Sequence, residues 1–131
     1  MPRPAVKDLP LLLAAVMLSA CYPAHVATGT APATPAATFA CMTTALTDLG
    51  FTITSSDAKT GFLRGQRLDP GSPEKSEYTD LDISIYTNRD GETLYMMQAT
   101  RTHGHGTTDG LPTLDSDVQA SDAVAKRCGK P

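Results

Sequence analysis

The sequence predicts an α+β domain in which a four-stranded antiparallel sheet carries an N-terminal and a C-terminal helix on one face, in the order helix, four strands, helix. Three observations lead there. Residues 78–87 alternate, with Leu81, Ile83 and Ile85 to one side and Asp80, Asp82, Ser84 and Tyr86 to the other, as in an antiparallel strand buried on one face. Two segments with apolar residues at helical spacing bracket the strand-rich middle of the chain. Only one apolar sheet face is visible, so both helices are expected to cover the same side.

The first helix is expected over residues 38–49, where Met42, Ala45, Leu46 and Leu49 recur at helical spacing and Gly50 suits the position just past a helix end. Residues 51–54 alternate as a first strand, residues 55–61 turn, and residues 62–68 return as the second strand of a hairpin. Asp69-Pro70-Gly71-Ser72-Pro73 breaks the chain before the third strand at residues 78–87. Asn88-Arg89-Asp90-Gly91 is a turn sequence with glycine where a left-handed residue is wanted, and residues 92–103 come back as the fourth strand. Residues 104–112 read as a Gly-containing loop. The closing helix, residues 114–128, places Leu114, Val118, Ser121, Ala125 and Cys128 on one stripe, with Asp115 and Asp117 at its start and Lys126 and Arg127 at its end, where they suit the helix dipole.

A chain of 131 residues holds one domain at most. Eleven Lys and Arg against 14 Asp and Glu leave a net charge of −3, so no basic surface is available for a phosphate backbone and nucleic acid is not an expected partner.

Arg3 and Lys7 precede an apolar run over residues 9–18, the layout of a secretory signal. The run is about half the length that a helix needs to span a bilayer. It closes on Leu18-Ser19-Ala20-Cys21, which resembles the lipobox of bacterial lipoproteins. That resemblance implies thioether attachment of diacylglycerol to Cys21, cleavage just before it and acylation of the new amine, which meets the two-chain requirement for stable anchoring. Tyr22 stands where an Asp would, in Gram-negative members of that family, favour inner-membrane retention. The resemblance therefore implies an outer-membrane anchor with the domain in the periplasm. Residues 1–20 are then the signal peptide, residues 21–37 a Pro/Ala/Thr-rich tether that includes an exposed His25, and residues 38–131 the domain. Fully extended, such a tether would let the domain stand about 50 Å off the membrane.

With Cys21 assigned to lipid, Cys41 and Cys128 remain, and an oxidising compartment favours their pairing over two buried thiols. Cys41 falls near the start of the first helix and Cys128 at the end of the last, so a bridge implies antiparallel neighbouring helices with their ends clamped together. The absence of a Cys-x-x-Cys motif speaks against a redox pair. The layout of residues 38–128 is similar to the helix-grip and related α+β modules found among envelope lipoproteins, a likeness of layout that implies no particular activity.

Two surfaces qualify as candidate sites. His103 and His105, with Asp109 nearby, have a His-x-His spacing that puts both imidazoles on one side of an extended segment. They form an incomplete zinc set, and a polar loop at a strand end is the alternative. Asp80, Asp82, Ser84 and Tyr86 line the outward face of the third strand, with Arg64 and Arg101 expected on neighbouring strands. That face reads either as a recognition surface for a protein or glycan or as ordinary cross-strand charge pairing. Nucleophile elbows, phosphate-cradling loops and metalloprotease helices are absent from the sequence. The reading is thus a lipid-anchored, non-catalytic envelope protein without a cofactor, whose partners are the membrane and another envelope protein. The alternative is a metal- or small-ligand-binding lipoprotein that uses the His103/His105 loop.

Overall fold

The computed structural model describes residues 24–69, 71, 77–103 and 115–130. Its elements, in chain order, are β1 (His25–Ala31), α1 (Pro35–Asp48), β2 (Thr52–Asp57), β3 (Phe62–Leu68), β4 (Glu77–Thr87), β5 (Thr93–His103) and α2 (Asp115–Cys128). The fold is α+β, with an antiparallel sheet and two helices, but the sheet has five strands rather than four. Its order is β1-β5-β4-β3-β2, so the chain starts at one edge, crosses through α1 to the other, and returns strand by strand to pair with its own beginning.

The added strand lies in the segment expected to be a tether. His25 pairs with Ala99 and Ala31 with Thr93, a continuous antiparallel register along β5. The alternation of β1 is hard to see in sequence because, after His25, its core-facing residues Ala27, Gly29 and Ala31 are small. At Gly29 an added Cβ would lie 2.4 Å from the Tyr95 hydroxyl oxygen, so the Tyr95 side chain fills the space that a larger β1 residue would take. His25 is not an exposed tether residue: its Nε2 is buried, with no hydrogen-bond partner among the described residues. Residues 1–20, the expected signal peptide, and Cys21 lie outside the described residues.

Helix α1 begins three residues earlier than its apolar spacing predicts, because Thr34 caps it. The Thr34 side chain accepts from the Ala37 N–H at 3.3 Å, and Pro35 occupies the first turn, where no N–H is needed. Gly50, at φ 86°, follows its end as expected. Gly65 in β3 is closely packed, since a Cβ there would approach Leu46 Cδ1 to 3.2 Å and Phe51 Cβ to 3.1 Å.

Both helices cover one sheet face. Met42, Ala45 and Leu46 of α1 and Ala120, Val124 and Cys128 of α2 join Leu63, Leu81, Ile83, Ile85, Tyr95, Met97 and Ala99 in one core. Helix α2 is turned from the expected stripe: Ser121 and Cys128 are buried as read, Asp117, Ala120 and Val124 are buried beside them, and Val118 and Ala125 are half-buried, while Leu114 lies outside the described residues. Helix α1 starts where β1 ends and α2 finishes beside it, where Lys130 N–H donates to Thr30 O at 2.8 Å, and Arg127 near the end of α2 reaches Asp48 at the end of α1 at 2.6 Å. Cys41 and Cys128 stand at disulfide distance with Cα atoms 5.9 Å apart. Cys41 sits midway along α1, so the pair ties the middle of one helix to the end of the other instead of clamping two ends.

Candidate functional site

With the helices on one side, the other face of the sheet is uncovered by any described element. The register sets its side chains in rows across three strands: Arg64 beside Asp82 beside Gln98, then Gln66 beside Asp80 beside Thr100, then Leu68 beside Tyr78 beside Thr102. Arg64 grips Asp82 with both arms of its guanidinium, Nε to Oδ1 at 2.6 Å and Nη2 to Oδ2 at 2.8 Å. That carboxylate, first through the hydrogen bond and then through its charge, raises the Arg64 pKa above its ordinary value. Asp80 is buried although it points to the open side, and both of its oxygens are used. Gln66 Nε2 donates to Oδ1 at 3.1 Å and Thr102 Oγ1 donates to Oδ2 at 2.7 Å. Thr54, at the irregular step of β2 against β3, completes a shallow open trough of about 390 Å³.

Every charge in this trough has a partner, and its remaining groups are hydroxyls and amides. The arrangement can hydrogen-bond a polar ligand or surface. Around the trough the face turns apolar. Val26, Leu68, Tyr86 and Met96, the exposed large apolar side chains among the described residues, all belong to it.

Arg101 does not join this face. It follows Met97 and Ala99 on the helix side of β5, its side chain 2% exposed, beside a fully buried Asp117. Nη1 reaches Asp117 Oδ1 at 3.0 Å, and Nη2 contacts Glu77 Oε2 at 2.9 Å and Asp69 Oδ2. Thr79 Oγ1 also donates to Asp117. Burial alone would lower the Arg101 pKa, but the hydrogen bonds that it donates to Glu77, Asp69 and Asp117 outweigh it and the value is raised. The Asp69 carboxyl is held below its usual range, first by the Gly71 N–H and then by Arg101. Asp117, read as a residue that suits the helix dipole, is thus the buried counter-charge of an arginine whose strand register turns it inward.

Ser84 and Tyr86 stand on the open face as expected, Ser84 half-buried and Tyr86 exposed. His103 closes β5; its side chain, His105 and Asp109 lie outside the described residues. Among the described residues, no group of three or more His, Cys, Asp or Glu is placed to hold a metal ion. Gln66, Gln98, Thr100 and Thr102 escaped the sequence reading. The signal that finds them is the alternation of β5: with Met97 and Ala99 inward, Gln98, Thr100 and Thr102 share a side with Asp80 and Asp82.

No family model and no curated protein matches the chain. Solved structures do resemble it, among them one titled "Crystal structure of Ara h 8.0201", at 15% identity and a TM-score of 0.55 over 79% of this chain and 93% of that one. At that identity the chain is similar to this protein in fold alone.

Proposed function

We propose that the chain is a lipid-anchored cell-envelope protein, attached through Cys21 to the outer membrane and facing the periplasm, with the open sheet face as a non-catalytic binding surface. The observation that carries the anchoring is the apolar run ending on Leu18-Ser19-Ala20-Cys21. The fold is compatible with a mature chain that begins there, because β1 starts at His25, beyond the expected cleavage point. Cysteine parity supports the same compartment, since the two cysteines left after lipidation are those that the fold brings together.

Among the described residues no helix is long and apolar enough to cross a membrane. A lipid on Cys21 supplies the attachment instead. The uncovered face, with a paired polar centre and exposed apolar margins, has the composition of a contact surface rather than a reaction site.

Metabolic labelling with a fatty acid tests the anchor. The wild-type protein incorporates label and fractionates with membranes, whereas Cys21→Ala does neither or accumulates as uncleaved precursor. Equal labelling and equal fractionation of the variant would overturn the reading.

A further inference from the structure

We infer that the open sheet face rests on the bilayer itself, with Val26, Met96 and Tyr86 in the interfacial layer. The inference builds on the lipid anchor proposed above and assigns the partner of its binding surface. Its first support is chain length. Val26 is five residues from Cys21, so its Cα can lie no more than about 18 Å from the Cα of the anchoring cysteine even with the chain fully extended. A fold that begins at His25 cannot stand far from the membrane in the way that a free tether over residues 21–37 would allow.

The second support is where the apolar side chains are. Val26 is 52% exposed, Tyr86 48% and Met96 41%, all on the open face, and Val26 lies on the edge strand that leads directly to the anchor. In register, Thr28 pairs with Met96, which pairs with Ser84, so Met96 is the diagonal neighbour of Val26 on one side and of Tyr86 on the other. These three residues form an oblique apolar band across β1, β5 and β4, beside the neutral Arg64–Asp82 pair.

The third support is charge. The end of the sheet from which β1 departs gathers Asp69, Glu77 and Asp117 around Arg101, with Arg67 beside Asp69, three acids against two guanidinium groups, a net acidic balance that an anionic lipid surface repels. Tipping the open face towards the membrane takes that end away from the headgroups. The apolar band alone is too small for firm binding, but a lipid on Cys21 turns its contact into an intramolecular step at high effective concentration. The hydroxyls and amides of the trough would then face lipid headgroups.

The chain contains no tryptophan, so one introduced indole is an unambiguous reporter. Lipidated full-length protein carrying Met96→Trp is reconstituted into phosphatidylethanolamine/phosphatidylglycerol vesicles, and quenching by brominated acyl chains is compared with quenching by aqueous iodide. Thr44→Trp, at an exposed position on α1, is the control. Bromolipid should remove most of the Met96→Trp emission and leave that of Thr44→Trp unchanged, with iodide showing the reverse. Adding Val26→Glu to Met96→Trp should abolish the lipid quenching, whereas persistence would mean that the indole itself seeks the membrane and would overturn the inference. Iodide quenching of both reporters in vesicle-bound protein overturns the docking and leaves the anchor standing. Shielding of Met96→Trp from both quenchers identifies a protein partner or a second copy on the face and overturns it equally. Protein that carries no lipid and does not sediment with vesicles overturns the anchor, and the docking with it.

Discussion

Arg101 and Asp117 meet between sheet and helix with Nη1 3.0 Å from Oδ1, the guanidinium side chain 2% exposed and the carboxylate fully buried. Removing one member of such a pair strands a buried charge. Asp117→Ala is expected to cost about 3 kcal/mol, the low end for a broken buried pair because Asp69 and Glu77 still face the arginine. Arg64→Ala breaks an equally well-formed pair that is 47% and 30% exposed, and should cost less than about 1 kcal/mol. Urea unfolding of the two variants measures the contrast. Equal costs would mean that the inner cluster is not a structural keystone.

The same cluster sets an acid limit. The folded Asp69 carboxyl has a pKa below its unfolded value near 3.8, so around that pH the unfolded chain binds more protons. Its contribution is complete above about pH 5 and is lost as pH falls through the folded value. The raised value of Arg101 keeps that group charged throughout this range and adds no slope of its own. Asp69→Asn should therefore lower the melting temperature at neutral pH and flatten its fall between about pH 4 and pH 2, as followed by circular dichroism.

Joining Cys41 to Cys128 closes a loop with a sequence separation of 87 residues. The chain-entropy model assigns about 4 to 5 kcal/mol to such a loop, a large share of the stability of a small domain. Cys41→Ser should lower the unfolding midpoint strongly while keeping the far-ultraviolet spectrum. Two alkylatable thiols in unreduced, unlipidated domain taken from the periplasm would refute the bridge.

Two glycines share a conformation but not a neighbourhood. Gly61 has φ 76° and Gly91 φ 80°, so alanine at either costs about 1 to 2 kcal/mol for the left-handed backbone. At Gly91 a new methyl group meets nothing within 4 Å, whereas at Gly61 it would sit 2.1 Å from Ile85 O. Gly61→Ala should thus destabilise much more than Gly91→Ala, and thermal melts of the two proteins decide it.

What could be read in advance follows how sharply burial is written into side-chain size. In β4 the change from Leu81 to Asp82 to Ile83 is abrupt, and both the strand and its open face are legible. In β1 the core side after His25 is Ala27, Gly29 and Ala31, with Tyr95 filling the space over Gly29, so the strand looks like a linker. In α2 an aspartate occupies a buried place because Arg101 turns inward, and no periodicity count anticipates a pairing made across the fold. The trough was legible in its acids, which stand on the strand with the clearest alternation. Its amides and hydroxyls on β3 and β5 were not, since polar residues announce a face only once the register with β4 is known.

The Cys41–Cys128 link also decides what a protease can accomplish. With the bond closed, residues 41–128 form a covalent ring that takes in β2, β3, β4, β5, all of α2 and the second half of α1. A single cut within that ring divides the backbone without separating the pieces. Both halves stay attached to β1, and through it to whatever holds the N-terminus. Shedding a piece of the ring takes two cuts within it, or one cut together with a reductant.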